Sequence, residues 1–499
     1  MKEDIFNYPG NQFNTEKFIT SRQLFVLKKI FTNSLIYGIA PQITAIANIL
    51  VLPLITPNLT KFDFAINGIA LSYIGILTLL QSLGLRIVYA NSFFHYPKQY
   101  KWIWRQLLGF ELICNLIFQV IFAVIIYKIL PEQVGNNRFL LTFLIILPQL
   151  FLTPFSNVSS LRYQLEERPY PIVARSIVFG VLNVVLMYYF ISIEKLGYLG
   201  WFVSIGITST LLNLTYIYPA FVKFKLYPIF NFKWRLIKKS LKVSIPAIPH
   251  YYAIYLLDSS DRIVMERLNV KTESIGVYSL AYSVAGKFSV LGNALGAAIG
   301  PTISQLLKEK RFKELRDLTF LLQSIFIILG FLASIWLSEV FKLLIKGHNI
   351  TELIPMGIVI LMSYTYRPLY MTASSQLMYF EKTKSLWKIS FGAGLINVIL
   401  NLILIPFFGY KVAVITTLLS YIYMGLFGYF TTEFKDDNKY KYYPIRWGVA
   451  ILFFTFLAYK LYDINIIYRI IITVSIFLFV LILFKMKANL LKISQKTYL

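Results

Sequence analysis

Four side chains in one short stretch have the types and spacing to hold a polar, charged cargo. Tyr251, Tyr255, Asp258 and Arg262 fall at i, i+4, i+7 and i+11. At about 100° per residue they share one face of a helix. That face offers phenol hydroxyls, aromatic planes on which sugar rings pack, and a carboxylate and a guanidinium one turn apart. Asp261 lies off the face, placed to support Arg262. The same pattern would also make a capping and salt-bridge cluster near a membrane interface, and spacing leaves both readings open. Lys287 and Arg367 stand out differently, because each interrupts a long apolar stretch. A charge at the centre of a membrane helix costs roughly 2.5–3.5 kcal/mol on the insertion scale. Either residue is therefore expected to face the protein interior or a water-filled cavity, where it would bind an anion. Arg367 precedes Pro368, which predicts a kink, with Tyr364, Tyr366 and Gln376 as nearby polar partners.

Arg86 and Glu111 fall at similar depth in neighbouring stretches. They read either as an ion pair closing one end of the molecule or as a first contact for an anionic headgroup. Ser34, Tyr37, Thr44 and Asn48 form a polar stripe that could line a cavity, although small polar residues also pack helices closely. His250 borders Pro249 and reads as an interfacial histidine. The single cysteine, Cys114, excludes an internal disulfide and a cysteine zinc site, and three scattered histidines argue against a metal site. No metal and no cofactor is expected.

The elements that must position these residues are membrane helices. Of 499 residues, 57% are hydrophobic and only 14% are charged, and mean hydropathy is +0.64. A water-soluble fold could not bury that much apolar surface. Stretches of about 20 apolar residues, the length that crosses a bilayer, occur at 31–55, 64–90, 106–130, 139–160, 172–192, 199–220, 243–265, 274–300, 319–345, 354–380, 387–406, 412–432, 446–462 and 466–484. This predicts an all-α polytopic membrane protein with about 14 spans. Alternating ten-residue segments, the mark of a membrane β-barrel, are absent.

The chain carries 49 Lys and Arg against 23 Asp and Glu, a net charge of +26. In a membrane protein such a balance marks cytoplasmic loops rather than nucleic acid. About two-thirds of the basic residues fall in the termini and in the loops at 91–105, 161–171, 221–242, 301–318, 381–388 and 433–446. Both termini are therefore expected in the cytoplasm. The first 30 residues lack the short apolar core and cleavage site of a signal peptide. No phosphate loop is present, because Ala281 stands where the string ending Gly286-Lys287 would need its first glycine. The largest loop is cytoplasmic, so the external catalytic domain of a membrane glycosyltransferase or polymerase has no place. These absences point to a transporter rather than an enzyme.

Ile66, Leu71 and Tyr73 of the second span match Ile275, Leu280 and Tyr282 of the eighth, and both the first and seventh spans hold prolines. Such an internal repeat predicts two six-helix lobes, with the substrate between them. The expected organisation is an N-terminal segment 1–30, an N-lobe 31–220, a linker 221–242, a C-lobe 243–432, a linker with two appended helices 433–484, and a tail 485–499.

The stretch from Ser244-Ile-Pro-Ala-Ile-Pro-His250 through Leu257-Asp-Ser-Ser-Asp-Arg262 to Ile275-Gly-Val-Tyr-Ser-Leu-Ala-Tyr282 resembles the Wzx-type polysaccharide and O-antigen flippases. These belong to the multidrug/oligosaccharidyl-lipid/polysaccharide exporter (MOP) superfamily, and the resemblance implies a MATE-like fold. It implies a multi-pass protein of the bacterial cytoplasmic (inner) membrane that moves an undecaprenyl-pyrophosphate-type lipid-linked oligosaccharide from the inner to the outer leaflet. The product would serve O-antigen, lipopolysaccharide or capsule synthesis. An anionic, hydrated headgroup cannot cross hydrocarbon bare, so a cationic, polar lumen is needed. Lys287, Arg367, Arg262 and Arg86, with Tyr251, Tyr255 and Asp258, are the expected substrate contacts. Asp258, Asp261 and Glu111 are the acids that could carry a coupling proton or sodium ion. Membrane lipids and the polysaccharide polymerase machinery are expected partners, and nucleic acid is not. The alternatives are a lipid II flippase, a MATE-type cation or drug antiporter, and, further off, a membrane polysaccharide polymerase.

Overall fold

The computed structural model of the chain describes residues 46–149, 152–166, 168–380, 382–437 and 440–496. The N-terminal segment and most of the first span, including Ser34, Tyr37 and Thr44, lie outside the described residues. Among the described residues all elements are helical, and those used below are α1 Lys61–Gln81, α2 Arg86–His95, α3 Tyr100–Ile129, α4 Arg138–Ile146, α5 Thr153–Leu165, α6 Tyr170–Met187, α7 Tyr198–Tyr218, α8 Trp234–Ser244, α9 Ile248–Arg267, α10 Thr272–Ala285, α11 Phe288–Lys308, α12 Phe312–Ile335, α13 Leu337–Leu344, α14 Leu353–Ser363, α15 Arg367–Tyr379, α16 Thr383–Phe408, α17 Ala413–Leu426, α18 Pro444–Leu461 and α19 Ile466–Lys496. Among the described residues, seven are long and apolar enough to cross a membrane unbroken. Lipid leaves backbone N–H and C=O groups no outside partner, so helices satisfy them internally.

Several stretches expected as single spans are broken instead. Stretch 64–90 ends α1 at Gln81 and resumes at Arg86, because Leu83 and Gly84 both take left-handed backbone conformations. Gly84 is needed there, since a Cβ on it would lie 2.5 Å from the backbone oxygen of Ser244. Stretch 139–160 tightens to a 3-10 turn at Leu147–Gln149, around Pro148. Stretch 274–300 changes helix at Gly286-Lys287, where the backbone bonds step to i+3 (Lys287 N to Val284 O, 3.1 Å). Stretch 354–380 passes through a 3-10 turn at Tyr364–Tyr366, as Pro368 removes a donor and crowds the preceding turn. Stretch 319–345 divides at Trp336. Breaks fall in the second and fourth spans of each half, and in the C-terminal half the third span is broken as well.

Stretch 221–242, expected as a loop, also departs from expectation. Its second part is the amphipathic helix α8, which buries Ile237 against a cluster around Trp104 and Leu108 and leaves Arg235, Lys238, Lys239 and Lys242 exposed. The preceding strand of chain is stitched to α3: Ile229 N donates to Arg105 O (2.9 Å), and Gln106 Nε2 to Asn231 O (3.0 Å).

Helices α1–α7 pack among themselves, as do α9–α17. The halves meet where α1 lies along α9 and α10. Toward one face the seam continues through Thr56, whose hydroxyl donates to Leu344 O (3.3 Å) and accepts from Lys346 N (3.0 Å). The opposite face carries the basic loops around residues 96–105, 162–168 and 223–233. There α11 leans on α12 and α15 of its own half, away from the seam.

The appended helices α18 and α19 dock on the C-terminal half. Arg469, 8% exposed, pairs with Glu339 at 2.5 Å and stacks on Trp336. A buried cation left without its carboxylate is costly, on the order of 3 kcal/mol. Glu339→Ala is therefore expected to lower the unfolding temperature in detergent by several degrees, and Glu339→Asp by less, as read by intrinsic fluorescence on heating. Equal melting of Glu339→Ala and the parent chain would remove this docking role.

Candidate functional site

A cavity of about 490 Å³ lies between the halves, walled by α1 on one side and by α9, α10 and the start of α11 on the other. Its polar lining includes Asn48, Asn67, Asp258, Arg262, Lys287 and Tyr364.

The wall on the C-terminal side is built by two antiparallel helices whose side chains interlock. Tyr278 Oη donates to Asp261. Arg262 Nε donates to Ser279 Oγ (3.2 Å), and its guanidinium lies 4.5 Å from the Tyr282 ring centroid. Tyr282 Oη donates to Asp258 Oδ1 (3.4 Å). Each charged residue of the Asp258–Arg262 segment thus has a partner in the Tyr278–Tyr282 segment, and the spacing of the two motifs is the spacing of facing turns. At the far end of the same pair, a Cβ on Gly276 would lie 1.9 Å from Lys61 O. Only glycine lets α10 approach α1 so closely.

Asp258 is a hub. It also accepts from Tyr421 Oη (2.7 Å) and Tyr364 Oη (3.1 Å), and Arg367 Nη2 stands 3.6 Å away. Arg367 heads α15 just past the 3-10 turn and donates to Asn293 Oδ1 (2.8 Å). Its guanidinium stacks 4.8 Å from the Tyr364 ring. It lines a smaller void of about 240 Å³ that shares Asn293 with the central cavity. Lys287 sits at the break between α10 and α11, half-buried in the cavity wall. It has no hydrogen-bond or ion-pair partner among the described residues.

The structure brings together Lys287, Arg262, Asp258 and Arg367, but rearranges the pairing expected from spacing. Asp258 does not pair with the Arg262 guanidinium one turn on. Arg262 Nη1 caps the backbone oxygen of Asp258 (3.1 Å), while the carboxylate turns to Arg367. Asp261 does not support Arg262. It points away from the cavity, fully buried, and accepts from Asn397 (2.8 Å), Asn401 (2.6 Å) and Thr417 (3.2 Å) besides Tyr278. Tyr255 is not a cavity residue: its ring fills the space over Gly75 of α1 and seals the seam. The side chains of Tyr251 and His250 lie outside the described residues.

Arg86 and Glu111 are remote from the central cavity. They share a separate void of about 220 Å³ near the basic face. They form no pair there, because Arg86 donates to Gln164 (2.6 Å) and Glu111 accepts from Tyr89 (2.8 Å). Asn48 remains in the central wall, held by Asn183 (2.8 Å).

Sequence reasoning missed Tyr282, Tyr421 and Asn293 as neighbours of the charged cluster, and Asn397 and Asn401 as the cradle of Asp261. The last two had a readable signal: amides four residues apart in a long apolar stretch share a helix face and need a polar partner.

Broken helices converging on a polar cavity between two packed halves define a membrane transporter architecture. Solved structures share it. An inward-facing multidrug resistance MATE family transporter of the MOP superfamily matches with a TM-score of 0.62 at 15% identity, covering 80% of this chain and 97% of that one. An outward-facing member of that class matches at 0.55 and 16% identity, over 81% and 93%. A Vibrio cholerae MATE transporter mutant matches at 0.51 and 14% identity, over 84% and 98%. No curated protein matches by sequence. The family model described as "Polysaccharide biosynthesis protein" matches residues 30–307, and the chain belongs to that family. Family and fold are those of multi-pass membrane transporters rather than enzymes.

Proposed function

We propose that this chain is a flippase for an undecaprenyl-pyrophosphate-type oligosaccharide. It would carry the glycolipid from the inner to the outer leaflet of a bacterial cytoplasmic membrane. The observation that carries the proposal is Lys287, an unpaired cation in the wall of a cavity that also holds Arg262 and borders Arg367. Against one described carboxylate, Asp258, this gives a net positive lumen suited to a pyrophosphate. A pocket for cationic drugs would carry the opposite sign. The sugars would stack on Tyr282 and Tyr364, and the isoprenoid tail would stay in lipid at the seam.

In this reading residues 31–220 and 243–432 are two lobes that rock about the cavity, and both termini are cytoplasmic because the basic loops lie on their side of the membrane. The seam at Thr56 and Gly276 closes the outer side, so the present state is open inward. Arg367 is the group the pyrophosphate would draw from Asp258. The freed carboxylate, ringed by three tyrosine hydroxyls, is then the acid placed to take up a proton or sodium ion.

The test is translocation of lipid-linked oligosaccharide in proteoliposomes, with accumulation on the inner leaflet of a deletion strain as the cellular counterpart. Lys287→Ala is expected to lower the rate about tenfold, the worth of one charge contact to a phosphate in a partly hydrated site, while Lys287→Arg retains most of it. An unchanged rate for Lys287→Ala would remove its role. Transport of lipid II but not of a glycan-bearing carrier would redirect the substrate.

A further inference from the structure

A second pocket lies far from the central cavity, on the basic face, where α3 begins and α5 and α7 end. Its volume is about 140 Å³, enough to admit one phosphate group. Four cations surround it: Lys101, Arg162, Arg168 and Lys223. Among the described residues one carboxylate, Glu166, answers them.

That carboxylate is already engaged. Glu166 pairs with Arg162 at 2.5 Å, and the Arg162 guanidinium is held between the rings of Phe93 (4.6 Å) and Tyr100 (4.8 Å). Arg168 stands 3.7 Å from Glu166 and is more than half exposed. The Lys223 ammonium rests over the Tyr163 ring at 4.9 Å. The Arg162–Glu166 pair thus forms a rigid, neutral floor, and Lys101, Arg168 and Lys223 supply an excess positive charge around an open void. The backbone of Arg168 is anchored as well, since Arg168 N donates to Tyr163 O (2.9 Å). Exposed Trp102 and Tyr170 flank the site, and such aromatics mark the level of lipid headgroups. Basic pockets between helix ends at that level recognise phosphate-bearing headgroups.

We infer that this pocket is a phosphate-binding site, distinct from the transport cavity, with Arg168, Lys223 and Lys101 as its ligands. Two sources fit the chemistry: the headgroup of an anionic phospholipid and free phosphate.

Native mass spectrometry of the full chain in detergent distinguishes them, with phosphatidylglycerol, phosphatidylcholine and inorganic phosphate as probes. The double variant R168Q/K223Q leaves the Arg162–Glu166 floor intact. The parent chain is expected to retain phosphatidylglycerol over phosphatidylcholine, and the variant to bind it on the order of tenfold more weakly, as each basic contact near a membrane surface contributes modestly. The charge-keeping variant R168K/K223R should restore binding, which a merely structural role would not require. Inorganic phosphate bound by the parent in place of lipid, and lost in R168Q/K223Q, would support the site and assign it to the soluble ligand. Equal binding of phosphatidylglycerol and of inorganic phosphate by parent and R168Q/K223Q, or binding of neither by the parent, would overturn the inference.

Discussion

Arg367→Ala should abolish translocation, with a fall of roughly 100-fold or more in the proteoliposome rate. Two effects combine. The pyrophosphate loses its strongest bidentate partner, and Asp258 is left as a half-buried carboxylate whose cation is gone, a change that costs several kcal/mol in comparable sites. The double variant R367A/D258N separates them. Removing both members relieves the uncompensated charge, so folding and thermal stability should return toward the parent while transport stays lost. Arg367→Lys keeps the charge but not the planar fork, and should leave an intermediate rate. Near-normal transport by Arg367→Ala would reject the assigned role, whatever happens to stability.

The second large effect concerns the seam between α1 and α10. Gly276→Ala places a Cβ 1.9 Å from the backbone oxygen of Lys61. Neither atom belongs to a flexible side chain, so the helices must separate. The contacts of Thr56 with Lys346 and His348 on the same face should separate with them. The expected result is at least a tenfold slower cross-link between cysteines introduced by T56C and H348C with a short bifunctional maleimide, because a seam strained by a few kcal/mol shifts its population by that much. Cys114 is the one native cysteine, so a Cys114→Ser background makes the readout clean. Gly75→Ala is the companion variant: it meets the Tyr255 ring rather than backbone, so it should loosen the seam less and fold more readily. Undiminished cross-linking in both variants would show that the seam does not depend on these close approaches.

Much of the site was readable from residue types. Lys287 and Arg367 were conspicuous because a charge inside an apolar stretch needs a wet or paired location; Lys287 lines the cavity between the halves and Arg367 the smaller void beside it. The two motifs carried their own geometry, since Tyr278, Ser279 and Tyr282 answer Asp261, Arg262 and Asp258 turn by turn. Pairing across distant spans was not readable. Spacing gave Asp258 to Arg262, yet the carboxylate is taken by Arg367, more than a hundred positions along the chain. Helical periodicity places a residue on a face, but which helix meets that face is a property of the assembled bundle. Asp261 shows the same limit: it sits within a turn of the cavity residues and serves an unrelated internal network. Pro368 announced one break in the helices, whereas at Leu83-Gly84 the need for a glycine lies in a partner 160 positions on, the backbone of Ser244.

The stitching of residues 227–233 onto α3 limits where the molecule can flex. The connector from the end of α7 through α8 travels with the N-terminal half, and Ser244 O is held against Gly84. The C-terminal half regains contact with its neighbour at Tyr252, which donates to Ile76 O. Any swing of one half against the other must therefore be absorbed within a few residues, at the single 3-10 turn Ile245–Ala247. Pro246, with no N–H to lose, makes that turn a natural pivot, and stiffness there would set how far the gate can travel.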